Sequence, residues 1–174
     1  SSQTPIRVGA AGALAELGKP EKAMGFLNDW IEAAPSEPQY RIARASILIA
    51  AGKLREAMDD LEKALSDAPL DPTARKLLAG LYGRAGETDK AEALLREGVR
   101  LDPRGATRYL DLEQFYTDRR LWPKALETLK ALTNLYPFEA RYVVRLGDVY
   151  SAKEDFARAL DAYEKAIQMG ERED

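Results

Sequence analysis

The chain has 174 residues, 45% apolar and 32% charged, with a net charge of −3, the balance of a globular protein that can bury a sizeable core. It contains neither cysteine nor histidine, which excludes disulfides, thiolate metal sites and the commonest general base. The acidic balance argues against nucleic acid, whose binders normally carry a basic surplus. No apolar run approaches the roughly 18–20 residues that cross a bilayer; the longest, ASILIAA at 45–51, fits a turn or two of buried helix. The N-terminal SSQTP has neither the basic nor the apolar region of a signal peptide, and the missing initiator Met suggests a processed or excised chain.

One period organises the sequence. Pro35, Pro69, Pro103 and Pro137 fall 34 residues apart, and so do Ala23, Ala57, Ala91, Ala125 and Ala159. They define five repeats, 4–37, 38–71, 72–105, 106–139 and 140–173, and a fixed period of this size marks a stack of like units. Repeat 1 has Gly18 between two helical stretches, and repeat 2 opens at Glu37-Pro38 and carries Gly52 at the same place. Repeat 3 opens at Asp71-Pro72, a helix start signal. Its apolar residues form two stripes at helical spacing, Leu77, Leu78, Leu81, Tyr82 and then Ala91, Leu94, Leu95, Val99, with Gly86 near the break. Glycine there suits the left-handed residue that closes a helix, and each loop proline stops the second helix from running on. Repeat 4 adds Tyr109, Phe115, Tyr116 and Trp122; repeat 5 ends in FARALDAYEKAIQMG. Strand signals are absent, so the fold class expected is all-α, two helices to each repeat.

These residues resemble the tetratricopeptide repeat (TPR) over nearly the whole chain. Repeat 5 matches that pattern with Leu146, Gly147, Tyr150, Ala159, Tyr163 and Ala166. Repeat 3 matches with Leu78, Ala79, Tyr82, Ala91, Leu95 and Pro103, and repeat 2 with Ala45, Leu48, Ala57, Leu61, Ala64 and Pro69. The resemblance implies a right-handed α-solenoid running as a single array over 4–173. Small residues at Ala45, Ala79 and Gly147 would let paired helices cross closely. Several positions depart from the pattern. Repeat 1 has Ala10, Ala11 and Leu14 in place of larger residues, Trp30 in a slot usually held by Ala, and Gly9 and Gly12 inside a helix, each glycine costing ~1 kcal/mol of propensity. Repeat 4 has Glu113 at the crossing and Arg120 where earlier repeats have glycine. Repeats 1 and 4 are therefore expected to be irregular. Arg44 takes a buried-Leu position, which reads either as a packed stem with its head in solvent or as a ligand contact.

By the family's geometry, positions 2, 5, 9, 12 and 13 of each repeat line a concave groove, where solenoids hold extended partners. The binding candidates are Ile42, Ile49, Lys76, Arg84, Gln114 and Arg141. Across the inward positions three positive and three negative charges balance, on a lining of small and apolar residues that suits a closely inserted helix or extended segment of a partner. Arg141 and Arg145 resemble the basic pair of chaperone-binding carboxylate clamps, but no repeat supplies the Asn partners, so that function is not expected. The first helices of repeats 2, 3 and 5 carry Arg41, Arg44, Arg75, Lys76, Arg84, Arg141, Arg145 and Lys153 against Asp148 alone. That is either a basic ridge for an acidic partner or a set of faces paired with acids such as Asp59, Asp60, Glu62 and Asp67. GLYGRAG at 80–86 lies on a helix and its end, whereas a phosphate cradle needs a preceding strand and loop. No nucleophile–base pair is apparent. The repeat 4 aromatics read as core or as a stacking platform.

The expectation is a non-enzymatic scaffold without cofactor or metal. It would bind a segment of another protein, with no nucleic acid and no membrane span of its own. Ala-rich composition and Arg outnumbering Lys 16 to 10 hint at a GC-rich bacterial source. With the resemblance, this suggests an envelope assembly (exopolysaccharide export, pilus or secretion machinery), the periplasm favoured over the cytoplasm. After repeat 5 only ERED remains, leaving Leu160, Tyr163 and Ile167 partly uncovered; a longer solenoid or self-association through such ends would cover them. An RNA-binding helical repeat is a further alternative, disfavoured by the periodic Ala and Pro, and a regulatory domain of a larger enzyme is another.

Overall fold

Ten α-helices in five hairpins make up residues 3–170, the part of the chain that the computed structural model describes. The first helices are α1 (Thr4–Glu16), α3 (Pro38–Ala50), α5 (Pro72–Arg84), α7 (Ala106–Asp118) and α9 (Ala140–Ala152). The second helices are α2 (Pro20–Ala33), α4 (Leu54–Asp67), α6 (Thr88–Leu101), α8 (Trp122–Leu135) and α10 (Phe156–Gly170). Every first helix opens on the first residue of a 34-residue frame. The helices divide between two compact bodies, an N-terminal unit up to Leu94 and a C-terminal unit from Leu95 on, the division falling within α6.

Local chemistry sets each boundary. Within every hairpin the first helix ends on a left-handed residue, at Gly18, Gly52, Gly86, Arg120 and Glu154 in turn, with φ between +56° and +79°. The pair of hydrogen bonds around it is the same each time: in repeat 2, Gly52 N donates to Ile49 O (3.1 Å) and Lys53 N to Leu48 O (2.9 Å). This is a Schellman closure, which satisfies carbonyls the helix end would otherwise leave unpaired. Arg120 and Glu154 adopt it despite their side chains, at a cost of ~1–2 kcal/mol each. Repeats 1 and 4, expected to be irregular, instead keep the common helix bounds. Their sequence departures are absorbed by side chains and by one strained residue.

Between repeats, the loop proline sits second in a four-residue turn. Glu37 N donates to Ala34 O, Asp71 N to Ala68 O, Gly105 N to Asp102 O and Glu139 N to Tyr136 O, at 3.0–3.2 Å. The fixed φ of proline suits that position of a turn. The fourth residue of the next helix then reaches back to the proline carbonyl. Arg41 donates to Pro35 O, Arg75 to Pro69 O, and the Tyr109 hydroxyl to Pro103 O at 3.0 Å. Val143 occupies the corresponding place in repeat 5 and is buried instead.

In the N-terminal unit one core cluster gathers Ala11, Ala23, Leu27, Ile31 and Tyr40, with Trp30 packed on it. A second joins Ile42, Ala45, Leu48, Ala57, Leu61, Ala64, Ala74, Leu78 and Leu81. The core of the C-terminal unit includes Phe115, Tyr116, Leu129, Leu132, Tyr142 and Val149. All five periodic alanines are buried, as are the crossing residues Ala11, Ala45, Ala79, Glu113 and Gly147.

Candidate functional site

The odd polar residues of the first helices are settled by their partners. Arg44 grips Asp60 with two nitrogens, Nε to Oδ2 at 2.7 Å and Nη2 to Oδ1 at 2.6 Å, and gives Nη1 to Asn28 at 2.7 Å. Donating to the Asp60 carboxylate pushes the guanidinium pKa further up. The head is thus neither loose in solvent nor held ready for a ligand; it ties α3 to α4 across the hairpin and to α2. Glu113, fully buried, takes Nε of Arg145 at 2.8 Å and the Thr117 hydroxyl at 2.7 Å. Arg75 is buried and bonds two carbonyls, Pro69 and Leu94. Arg41 lies 3.8 Å from Asp67. The basic ridge is therefore largely spent on internal pairing, and the side chains that face solvent are fewer than the sequence count suggests.

The six candidate residues differ in what they offer. In the N-terminal unit, Lys76 and Arg84 are exposed and Ile49 is half-buried. Ile42 is 5% exposed inside the second core cluster, so it presents almost no surface. Its predicted role is corrected to packing. In the C-terminal unit Gln114 is exposed, donates to Asp118 at 2.6 Å and accepts from Arg145. Arg141 is exposed, 2.9 Å from Glu139, with its guanidinium 4.9 Å from the Tyr142 ring centre. Each unit thus presents exposed polar groups from its first helices.

Sequence reasoning missed a concave part of that face. A cavity of about 560 Å3 is lined by Thr4, Pro5, Val8, Gly9, Glu37 and Gln39. It lies where α1 and α3 begin, and hydrogen bonds frame it: Thr4 to Glu37 at 3.0 Å and Gln39 to Asp71 at 2.9 Å. A side chain added at Gly9 would meet nothing within 4 Å, so the glycine keeps this trough open. Pro5, Val8 and Gln39 stand at inward positions of the repeat, and that register was the signal available. The repeat 4 aromatics divide: Phe115 and Tyr116 are buried edge to face, centroids 5.7 Å apart, while Trp122 is half-buried.

GLYGRAG runs along α5 and its closing turn, which is no phosphate loop. Among the described residues no group of acidic side chains has the makings of a metal site, and no helix is long and apolar enough to cross a membrane.

Two family models, each described as a tetratricopeptide repeat, match residues 48–114 and 116–173. The chain belongs to the tetratricopeptide repeat family. Solved TPR-type structures share the fold at low identity. MamA 41-end from Desulfovibrio magneticus RS-1 superposes with a TM-score of 0.66 at 20% identity, covering 100% of this chain and 98% of that one. YrrB, described as a TPR protein with an unusual peptide-binding site, gives 0.60 at 21% identity over 94% of this chain and 84% of its own. A thermophilic TPR protein of Thermus thermophilus gives 0.63 at 19% identity over 95% and 91%. No curated protein sequence matches the chain. TPR membership makes a protein-interaction scaffold the functional class, since stacked helical repeats present extended surfaces rather than enclosed reaction sites.

Proposed function

We propose that this TPR chain is a non-enzymatic scaffold that holds an extended or helical segment of another protein on the face made by its first helices. The observation that carries the reading is the open trough at Thr4, Pro5, Val8, Gly9, Glu37 and Gln39, followed in the same unit by exposed Lys76 and Arg84. Small residues admit a guest backbone, and polar groups at the margin orient it. Ile49 adds to these contacts, and Gln114 and Arg141 are the contacts proposed for the C-terminal unit by itself. Family resemblance and the Ala- and Arg-rich composition support placing it in a bacterial envelope assembly, such as exopolysaccharide export, a pilus or a secretion machine.

The test is capture of partners from the source cell envelope by the wild-type chain, by Lys76→Glu/Arg84→Glu and by Gly9→Leu, which fills the trough. Loss of the same partner in both variants, with helicity unchanged, supports the reading; a partner retained by both refutes it. Self-association is a second reading with its own observation: Phe156, Leu160 and Ile167 on α10 are 67%, 57% and 61% exposed. Light scattering across a concentration series decides it, and a concentration-independent monomer rejects it.

A further inference from the structure

The C-terminal unit has a second opening, a cavity of about 350 Å3 between α6, α7 and α8. It uses none of the six candidate residues. The register of the repeat explains why it is open. One period earlier, on the N-terminal unit, Leu94 packs on the core, and the Tyr82 hydroxyl closes onto Glu62 at 2.7 Å. Thirty-four residues on, Leu94 is replaced by Thr128 and Glu62 by Arg96. Thr128 is shorter, and its hydroxyl turns back to its own helix, donating to Lys124 O at 2.8 Å. The volume a leucine would fill is left empty over a floor of Val99, Leu112 and Tyr116.

The charge changes together with the shape. Glu62, Ser66 and Lys90 of the earlier place become Arg96, Arg100 and Lys124, all on the wall of the cavity. Among the carboxylates near them are Glu127, also on the wall, and Glu97, which Arg100 holds at 2.5 and 2.6 Å. On the cavity wall itself three cations, Arg96, Arg100 and Lys124, stand against the one carboxylate of Glu127, above an apolar floor. Such a site rewards a ligand that carries both an apolar group and negative charge.

We infer that this cavity binds an acidic peptide segment bearing a large apolar side chain, with the apolar group over Val99, Leu112 and Tyr116 and the carboxylates toward Arg96, Arg100 and Lys124. The cavity is open to solvent and not enclosed, which lets a chain pass across it, and the acidic net charge of the whole protein disfavours a nucleic acid there. The cavity shares no residue with the proposed groove contacts, so either can fail alone.

The test uses the full chain and a fluorescein-labelled hexapeptide alternating Glu with Leu and Phe, followed by fluorescence anisotropy at low and moderate salt. Saturable binding that weakens with salt is expected. It should fall at least tenfold in Arg96→Gln/Arg100→Gln, a change confined to exposed side chains. It should fall as far in Thr128→Leu, which refills the cavity without touching the charges, with helicity by circular dichroism as the control for folding. Lys165→Gln, at an exposed residue of α10, should bind as wild type. The inference is overturned if the peptide shows no saturation up to millimolar protein, or if versions with Lys for Glu or Ser for Leu and Phe bind as well. It is equally overturned if a single-stranded oligonucleotide binds more tightly, or if both variants keep wild-type affinity while folded.

Discussion

Gly147 of α9 carries the ring of Tyr163 of α10 directly against its backbone: a Cβ built on the glycine would stand 2.5 Å from Cε1 and 2.9 Å from Cζ of the tyrosine. No real contact is that short, so the two helices cross at this distance only because the side chain is missing. Gly147→Ala should destabilise by ~1–3 kcal/mol through overpacking, against a helix-propensity gain of up to ~1 kcal/mol. Gly80→Ala, where a Cβ meets nothing within 4 Å, isolates the propensity gain and should raise the melting temperature. Urea unfolding of the two variants checks the contrast; equal shifts would show that the crossing can relax.

Arg44 and Asp60 form a paired charge whose carboxylate is the more deeply buried partner, with side-chain exposures of 24% and 5%. Arg44→Leu should cost ~3 kcal/mol because it strands that carboxylate, whereas Arg44→Leu/Asp60→Leu should return to wild-type stability or exceed it. A double-mutant cycle in denaturant measures the coupling. A double variant no better than the single would mean that the pair also holds α3 and α4 in place by geometry that leucines cannot reproduce.

Arg120 and Glu154 hold left-handed conformations, at φ 56° and 66°, in places where three other repeats have glycine. Arg120→Gly and Glu154→Gly should each stabilise by ~1 kcal/mol, and Gly52→Ala should lose about as much. Thermal unfolding of the three single variants tests all of these at once.

The Tyr82 phenol is pushed up to about 12, first by burial and then by its hydrogen bond to Glu62. An unfolded tyrosine ionises near pH 10. Because the folded value is the higher one, the stability Tyr82 contributes is complete below pH ~10 and disappears as pH climbs through about 12. The stability difference between wild type and Tyr82→Phe should therefore be constant at neutral pH and shift against the wild type over that interval, as followed by urea midpoints.

Much of the architecture is legible in the sequence because its causes are local. A proline in a turn, a glycine at a helix end and an alanine at a crossing each act within a few residues, and the 34-residue interval repeats them. The positions that resisted reading depend on groups brought together by folding. Arg44 looks like a misplaced core residue until α4 places Asp60 beside it, and Glu113 looks forbidden until α9 supplies Arg145. Ile42 reads as groove-lining by register, yet its neighbours close over it. The donors at 41, 75 and 109 were a visible period, but their role emerges only when the turn aims a proline carbonyl at them. The trough at Gly9 is likewise invisible to a reading that treats glycine in a helix only as lost propensity.

Those donors make repeat number a separable variable. Arg41 reaches the carbonyl of a proline six residues before it, and Arg75 does the same, so these two joints between hairpins are each fastened by groups that belong to that joint. Excise residues 38–71 and Glu37 runs straight into Pro72, with Arg75 now six residues beyond Pro35, and the fastening is rebuilt from the remaining parts. A gene that loses the 34 codons of this repeat shortens the protein and leaves that hinge chemically unaltered.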